Sequence, residues 1–270
     1  MKNYKLPEFL KPNFKTSLKR MGRNNDGGYC VPIKAVQDSS SLFSFGMFDD
    51  WSFEESFNKE NRDAKIIVYD GSVNNFFWFK QLIKNIINLI TLKESFLFFF
   101  KECFIYFNYL SFFSSKKITH EKKFIVTSKY LPEGFLREKV SNIKDILKEN
   151  EDKDYFFKID IEGSEYRILD DILENQNNLL GMVIEFHNSD LMINHIDNFI
   201  KNLKLELVHI HVNNYGEVNH NNFPTVLELT FCNKKYNVKR SEHEIIFPDL
   251  NIDQPNNKNK KDLNIEFIKY

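Results

Sequence analysis

The sequence has little of what marks several protein classes. Its three cysteines, Cys30, Cys103 and Cys232, are too few and too scattered for a disulfide framework or a cysteine-based zinc site. They are typical of buried thiols in a reducing compartment. An excess of charge of one sign is also absent, since 37 basic and 38 acidic side chains leave a net charge of -1. That balance excludes a chain-wide electrostatic reason to bind nucleic acid or an anionic membrane.

Long apolar runs are missing as well. The first residues, MKNYKLPEFLKPNFK, contain no unbroken apolar stretch, so we expect no secretory signal and a cytoplasmic location. Lysines and glutamates interrupt the Phe-rich residues 76–113, and the longest uncharged piece there is residues 103–115. A transmembrane helix needs about 20 apolar residues. We therefore expect no transmembrane segment.

What the chain does have is enough apolar material for one large core. Hydrophobic residues make up 42% of its 270 positions, which excludes general disorder. Because α/β folds often exceed the usual domain length of about 150 residues, we expect a single domain over residues 1–270.

Short apolar runs alternate with stretches of helical period. The runs are rich in Ile, Val, Phe and Tyr and end in polar residues, which predicts strands. They cover residues 41–46, 65–70, 123–127, 155–160, 181–186, 206–212 and 226–232. Helical spacing relates Ile143, Ile146 and Leu147, then Tyr166, Leu169, Ile172 and Leu173, then Met192, Ile196, Phe199, Ile200 and Leu203. Nearly continuous apolar strands separated by helices indicate a mostly parallel sheet covered on both faces.

The last two predicted strands break this alternation. Only a polar loop, NNYGEVNHNNFP, joins them, and it suits an antiparallel pair better than a crossover. The prediction is an α/β, doubly wound sheet that ends in an antiparallel hairpin. Residues 251–262 are rich in Asn and Lys and predict a loop, partly mobile, before a short closing strand at 263–268.

Phenylalanine is abundant, with 28 residues, many of them between 76 and 113. We interpret this stretch as amphipathic helices that pack on the body, cover a cleft or form a dimer surface. A docking module for a membrane or a partner, with residues 76–113 as its surface, is the non-enzymatic alternative.

Polar groups follow five of the predicted strands. In open α/β sheets ligands bind beyond the carboxyl ends of the strands, so these groups predict one site. Asp70, after the second strand, is placed to accept ribose hydroxyls or to cap a helix. No G-x-G-x-x-G motif is present and Phe48 stands where a second glycine would, which favours a nucleoside cofactor without phosphates over NAD or FAD.

The segment KIDIEGSEY, residues 158–166, is the most specific motif. Alternation points Lys158, Asp160 and Glu162 to one side of a strand, with Gly163 at a turn and Ser164 as a possible helix cap. Ionisable groups in an apolar strand are costly unless paired or ligated, so the alternatives are a Lys–Asp pair or a functional site.

Two further strands present histidines. Glu185 and His187 share a face, and with Asp160 they form a set that could hold Mg²⁺ or Mn²⁺ beside a substrate hydroxyl. His209 and His211 form a second pair, and either could serve as a general base or as a hydrogen-bonded packing residue.

Successive blocks of the chain resemble FkbM-type S-adenosylmethionine-dependent methyltransferases. The blocks are RMGRNNDGGYCVP, SFGMFDDWSFEESF, IVYDGS, KIDIEGSEYRIL, VIEFH and HIHVNNYG, in chain order from residue 20 to about 231. The resemblance implies a class I methyltransferase fold, Rossmann-like, with S-adenosyl-L-methionine as cofactor. It also implies an N-terminal flap at residues 1–40, a helical insertion at 73–120 and a C-terminal tail at 251–270.

The resemblance also implies roles for residues. The cofactor-binding residues are Ser44, Phe45, Gly46 and Asp49 on the methionine side, Asp70 and Gly71 at the ribose, and Asp26 and Tyr29 in the flap. Asp160 lies at the methyl-transfer centre, His211 or His187 is the expected base, and Asp160, Glu185 and His187 are the expected ligands of any divalent ion.

The expected activity is O-methylation of a sugar hydroxyl in bacterial surface-glycan synthesis, capsule or lipopolysaccharide. The partner is then a nucleotide-linked sugar or a glycan, with no nucleic acid, and a homo-oligomer through the helical insertion is a further expectation. The alternative enzyme is a metal-dependent hydrolase that uses Asp160, Glu185, His187, His209 and His211.

Overall fold

A computed structural model describes residues 3–93, 95–150, 154–236, 239–240 and 246–269. Its strands are β1 (Asn3–Pro7), β2 (Phe14–Lys15), β3 (Leu18–Met21), β4 (Tyr29–Pro32), β5 (Ser41–Phe45), β6 (Lys65–Tyr69), β7 (Ile118–Glu121), β8 (Phe124–Ile125), β9 (Val140–Ser141), β10 (Tyr155–Ile159), β11 (Leu179–Phe186), β12 (Glu206–Val212), β13 (Leu227–Cys232), β14 (Lys239–Arg240) and β15 (Asn264–Ile268). Its α-helices are α1 (Ile33–Asp38), α2 (Ser52–Glu60), α3 (Asn75–Ile90), α4 (Phe96–Phe112), α5 (Ile143–Asn150), α6 (Leu169–Asn175) and α7 (Ile193–Asn202). Short 3-10 turns cover Glu8–Leu10, Arg137–Lys139, Glu165–Arg167, Gln176–Asn178 and Lys234–Tyr236.

Seven strands form the central sheet, in the order β12-β13-β11-β10-β5-β6-β7. Strands β11, β10, β5, β6 and β7 run parallel, while β13 lies antiparallel to both β11 and β12. The predicted mostly parallel sheet with a terminal antiparallel hairpin is confirmed. The sequence did not predict that β13 inserts between β11 and β12.

Both faces of the sheet are covered because its central strands are apolar on both sides. Every residue of β5, β10, β11 and β13 is buried. One core cluster packs α5, α6 and α7 on one face, with Ile146, Ile172 and Phe199 among its fully buried residues. The second packs α1 and α2 on the other face, where Val36 and Phe57 are fully buried.

The prediction that residues 123–127 form the third strand of the central sheet was wrong. The edge strand is β7, with sequence ITHE, and only its first residue is buried. An edge strand needs few apolar residues, so its pattern is weak. The stronger apolar run forms the two-residue strand β8, which pairs with β9 outside the central sheet.

Small sheets join the ends of the chain to the body. β1 pairs with β15 in parallel, so the predicted closing strand at 263–268 is present. β3 and β4 form a hairpin whose turn contains the DGG sequence at residues 26–28. Asp253 and Asn256, in the loop before β15, are buried.

Helices α3 and α4 occupy the Phe-rich region, and each begins at a side-chain cap. The Asn74 side chain accepts from Phe77 N and the Ser95 hydroxyl from Phe98 N, which satisfies one terminal amide in each helix. None of the helices that the structure describes has both the length and the hydropathy needed to cross a bilayer.

Candidate functional site

Two cavities open beyond the carboxyl ends of the parallel strands. The Asp70 cavity, of about 470 Å³, lies beyond β5, β6 and β10 and is lined by Gly46, Met47, Phe48, Tyr69, Asp70, Gly71, Ser72, Lys123, Phe124, Ile125, Val126, Phe135, Asp160, Ile161, Glu162, Ser164 and Arg167. The Glu185 cavity, of about 460 Å³, is lined by Arg23, Asp26, Gly27, Met47, Phe48, Asp49, Asp50, Phe53, Lys158, Asp160, Glu162, Glu185, His187, Asn213, Tyr215, Gly216 and Val226. They share Met47, Phe48, Asp160 and Glu162. Ligands in the two cavities would therefore meet at these four residues.

The carboxylate of Asp70 shapes the first cavity. Its Oδ2 accepts from the backbone amides of Met47 (2.9 Å) and Phe48 (2.7 Å), and its Oδ1 from the amide (2.7 Å) and hydroxyl (2.5 Å) of Ser72. Burial alone would raise the pKa of Asp70, but these hydrogen bonds hold that pKa below its ordinary value. The carboxylate thus fixes the turn after β5.

Gly46 makes the turn after β5 possible. Its φ is +84°, in the left-handed region, and a Cβ there would lie 1.6 Å from the carbonyl oxygen of Asp160. Lys158 Nζ donates to the carbonyl of Gly46 at 2.5 Å, so β10 supports the same turn from the side. Only glycine allows the ends of β5 and β10 to approach this closely.

Carboxylates cluster at the junction with the Glu185 cavity. Tyr29 donates from its hydroxyl to Asp160 Oδ2 at 2.9 Å, and the same hydroxyl lies 3.4 Å from Glu185 Oε2. Burial, and then the charges of Asp160 and Glu228, raise the pKa of Glu185 well above its ordinary value. Lys158 Nζ, 3.7 Å from Asp160 Oδ2, is the buried cation beside them.

His187 is oriented by its surroundings in the Glu185 cavity. Its Nδ1 bonds to the fully buried carboxylate of Glu165, and its Nε2 lies 3.3 Å from Glu162 Oε2 and 3.4 Å from Glu185 Oε1. Burial alone would lower the pKa of His187, but the bond to Glu165 and the nearby carboxylates raise it. The ring therefore presents Nε2 to the cavity.

The three residues predicted to ligate a metal lie together. One ligand atom each from Asp160, Glu185 and His187 fall within 4.8 Å of one another. Two carboxylate oxygens and an imidazole nitrogen suit Mg²⁺ or Mn²⁺. Burial first, and then the charges of Asp160 and Glu228, raise the pKa of Glu185, and a divalent cation would neutralise that cluster of charge.

Several predicted cofactor residues lie elsewhere than at the Asp70 cavity. The Ser44 side chain is fully buried and donates to Glu54, and Phe45 packs in the core beside Tyr69 and Phe157, so neither lines a cavity. Side chains alternate along β5, and only the turn that follows it reaches the ligand space.

The predicted flap residues and Asp49 lie on the side of the Glu185 cavity. Asp49 and Asp26 line that cavity, while Tyr29 reaches Asp160 from beneath. The Asp26 carboxylate accepts from Asn256 at 3.2 Å, which ties the β3–β4 turn to the C-terminal segment.

His211 lies outside both cavities. It is 2% exposed, with Nδ1 3.1 Å from Glu228 Oε2 and Nε2 3.1 Å from Asp262. Burial would lower its pKa, but Glu228 and Asp262 raise it to about 10. Both ring nitrogens of His211 face carboxylates and neither cavity includes the residue, whereas His187, the other predicted base, lines the Glu185 cavity.

His209 is buried in a different cluster. Its Nε2 lies 3.1 Å from Asp253 Oδ1, and Cys30 Sγ lies 3.5 Å from the same carboxylate oxygen. Cys30, His209 and Asp253 form the second group among the described residues whose ligand atoms lie within 4.8 Å of one another. None of the three lines either cavity.

The apolar wall of the Asp70 cavity and the partner of His187 were not predicted from the sequence. The wall is formed by Phe124, Ile125 and Phe135, with the two rings 5.5 Å apart. The rule that ligands lie past strand ends, applied to the run at 123–127, would have found it. Glu165 gave no such signal, because its neighbour His187 is 22 residues away.

Comparison with known proteins gives a family match for part of the chain. Residues 105–207 match the family model of the methyltransferase FkbM domain. The chain is therefore similar to this family over that segment, which is less than half of its length. The predicted resemblance is confirmed, and the activity it supports is methyl transfer from S-adenosylmethionine.

The FkbM match covers the segment from within α4 to the start of β12, which carries the ends of β10 and β11. A solved structure, precorrin-6y C5,15-methyltransferase from Geobacter metallireducens GS-15, aligns with 13% identity and a TM-score of 0.35, over 74% of this chain and 85% of that one. No curated protein matches the chain.

Proposed function

We propose that this chain is an FkbM-type methyltransferase that methylates a hydroxyl group of a sugar in bacterial surface-glycan synthesis, capsule or lipopolysaccharide. The observation that carries the proposal is the junction of the two cavities at Met47, Phe48, Asp160 and Glu162. A methyl donor on one side and an acceptor on the other would meet there without crossing the protein. The sugar and its pathway rest on the family resemblance.

The Asp70 cavity is the proposed cofactor site. Its apolar wall suits a flat base, the Asp70 carboxylate suits ribose hydroxyls, and the Gly46 turn allows close approach of the backbone. S-adenosylmethionine, when bound, supplies the methyl group. The chain contributes binding, orientation and exclusion of water.

The Glu185 cavity is the proposed acceptor site because polar side chains dominate its lining. Arg23, Asp49, Asp50 and Asn213 offer donors and acceptors of the kind that bind sugar hydroxyls. Arg23 is paired with Asp50 at 3.2 Å, which orients its guanidinium at the rim.

His187 is the proposed base for the acceptor hydroxyl. Glu165 holds its Nδ1, so Nε2 faces the cavity, where an acceptor hydroxyl would replace its longer contacts to Glu162 (3.3 Å) and Glu185 (3.4 Å). Asp160, at the junction, is placed to accept a hydrogen bond from the same hydroxyl and so to orient it.

Asp160, Glu185 and His187 would hold a divalent ion, Mg²⁺ or Mn²⁺, as the alternative activator. A bound ion of this kind lowers the pKa of a substrate hydroxyl. In that case Glu165 would act on the ion through His187, by fixing the ring that ligates it.

Incubation with methyl-labelled S-adenosylmethionine and a panel of nucleotide sugars and glycans tests the proposal. We expect label on a sugar oxygen, and loss of transfer with retained cofactor binding in Glu185→Gln. Glu206→Gln, a change outside both cavities, is the matched control. Label on nitrogen or carbon, or a fully active Glu185→Gln enzyme, would contradict the proposal.

A further inference from the structure

Helices α3 and α4 and the turn between them, residues 75–112, form a Phe-rich hairpin with an unusually apolar surface. Among the described residues, 24 large hydrophobic side chains are exposed, and 15 of these lie between Phe76 and Leu110. Single proteins rarely expose apolar patches beyond a few hundred Å², unless another body covers them.

Exposure increases from the base of the hairpin to its turn. At the base, Trp78 and Tyr109 are buried against Trp51, with ring centroids 6.4 and 5.7 Å from it. At the turn, Leu92 is 90% exposed and Leu97 84% exposed. The base is thus anchored to the body by aromatic packing, while the turn is its most accessible part.

The apolar surface extends around helix α4 instead of forming one stripe. Phe96, Leu97 and Phe98 are consecutive, so they point to different sides of the helix, and all three are exposed. A protein groove covers one face of a helix, whereas lipid surrounds it. Exposed apolar side chains on several sides of one helix suit a membrane environment.

The charge of the hairpin is positive. Helix α3 carries Lys80 and Lys84 and no acidic residue. Residues 75–112 contain four lysines and two glutamates, although the whole chain has a net charge of -1. The net charge of the hairpin is therefore positive in the same region where its surface is apolar. A positive charge complements an anionic surface.

We propose that the Phe-rich hairpin docks on an anionic lipid surface, with the apolar turn among the acyl chains and the lysines at the headgroups. Lys80 already lies with Nζ 4.5 Å from the centroid of the Phe76 ring, so its stem follows apolar surface while its charge stays outside. A second copy of the chain is the weaker occupant, because it would bring the lysines of α3 close to those of its partner.

Docking would place the two cavities near the lipid surface. Phe77, at the base of α3, contacts Phe48 with ring centroids 5.5 Å apart, and Phe48 lines both cavities. The inference itself does not depend on the reaction that the cavities perform.

Flotation of the full chain with phosphatidylcholine vesicles, with and without phosphatidylglycerol, tests the proposal. We expect binding that requires phosphatidylglycerol and weakens with salt. In the double variant Leu92→Asp/Leu97→Asp binding should fall at least about tenfold, because two exposed leucines that would enter the lipid are replaced by charges. Leu92 has a φ of +54°, which Asp adopts more readily than Leu, so the fold should persist.

Two controls make the result decisive. Leu191→Asp changes a leucine that is 78% exposed outside the hairpin, and it should leave binding unchanged. Lys80→Gln and Lys84→Gln should each weaken binding by about fivefold, and only on the vesicles that contain phosphatidylglycerol.

Results of two kinds would overturn the proposal. One is no binding by folded wild-type protein, or equal binding by the double variant. The other is a concentration-dependent dimer that Leu92→Asp/Leu97→Asp abolishes while no lipid binds, which would assign the surface to a second copy.

Discussion

The carboxylate of Asp70 is saturated with hydrogen bonds from its own chain. Four donors, on Met47, Phe48 and Ser72, point at its two oxygens. A side chain that fixes a turn and also faces a cavity links stability to ligand binding. A substitution of Asp70 should therefore change both the stability of the fold and the binding of a ligand.

Asp70→Asn should destabilise the fold by roughly 2 kcal/mol, since an amide offers one acceptor oxygen and leaves buried donors unpaired. Because the pKa of Asp70 is lowered in the folded state, its stabilisation exists above the ordinary pKa and is lost as acid protonates it. Denaturant unfolding from neutral to acid pH measures both. Asp63→Asn, at a fully exposed carboxylate, is the control. Equal stability of Asp70→Asn and wild type would contradict the assignment.

His211 predicts a pH dependence on the alkaline side. Its pKa of about 10 is raised by Glu228 and Asp262, so the stabilisation it provides is complete below its ordinary pKa of about 6.5. That stabilisation should be lost as the pH rises from there toward 10. Asp253 and Asn256 also lie near His211 and Glu228, and neither carries a positive charge that could replace that of His211.

Unfolding of His211→Gln across this pH range measures the effect. The variant should be less stable than wild type near pH 6 and should lose less stability on the way to pH 10. Methyl transfer should persist in it. If stability followed the same pH curve in both proteins, or transfer were abolished in folded His211→Gln, the structural role would be wrong.

At the scale of elements, β10 brings a buried cation into the site. Lys158 is 5% exposed, and the carboxylates of Asp160, Glu54 and Glu185 raise its pKa against the effect of burial. Lys158→Met would leave these acids without their cation. We expect a loss of about 3–5 kcal/mol in the free energy of unfolding, as for other broken buried pairs.

Lys129→Met, at a surface ion pair with Asp170, should change stability little, and it provides the matched control for Lys158→Met. Urea unfolding of both variants makes the comparison. A Lys158→Met protein as stable as Lys129→Met would mean that the acids around Lys158 are already protonated.

The elements also show what a sequence can predict. Strands β5, β10 and β11 are buried on both faces, so their continuous apolar runs were recognisable within about two residues. Strand β7 was not recognisable, because an edge strand buries few side chains. The nearby residues 124–126 are more apolar because they line the Asp70 cavity.

The candidate site was predictable where it follows strand ends and unpredictable where distant segments complete it. Asp160, Glu185 and His187 come from the ends of neighbouring strands, so alternation brought them together. The place of His211 depends on Asp262, which lies 51 residues further along the chain in a segment that the sequence indicated only as a loop. No local sequence pattern predicts a partner that lies so far along the chain.

At the scale of the whole molecule, the alternative in which Asp160, Glu185 and His187 hold an ion predicts that the ion stabilises the fold. Mn²⁺ at about a hundred times its dissociation constant would add about 2.7 kcal/mol, which raises the melting temperature by several degrees. The rise should vanish in Glu185→Gln. Cys30→Ser, in the second buried cluster, should retain it. A rise that survives Glu185→Gln and vanishes in Cys30→Ser would move the ion to the second cluster.

The whole fold brings two ligand spaces to one edge of a sheet, and the central claim is that the Asp70 cavity binds the cofactor. Calorimetric titration with S-adenosylhomocysteine tests this most directly. The account predicts binding in the micromolar range by the wild-type chain and none by folded Asp70→Ala. Absence of binding by the folded wild-type chain, or unchanged affinity in Asp70→Ala, would contradict it.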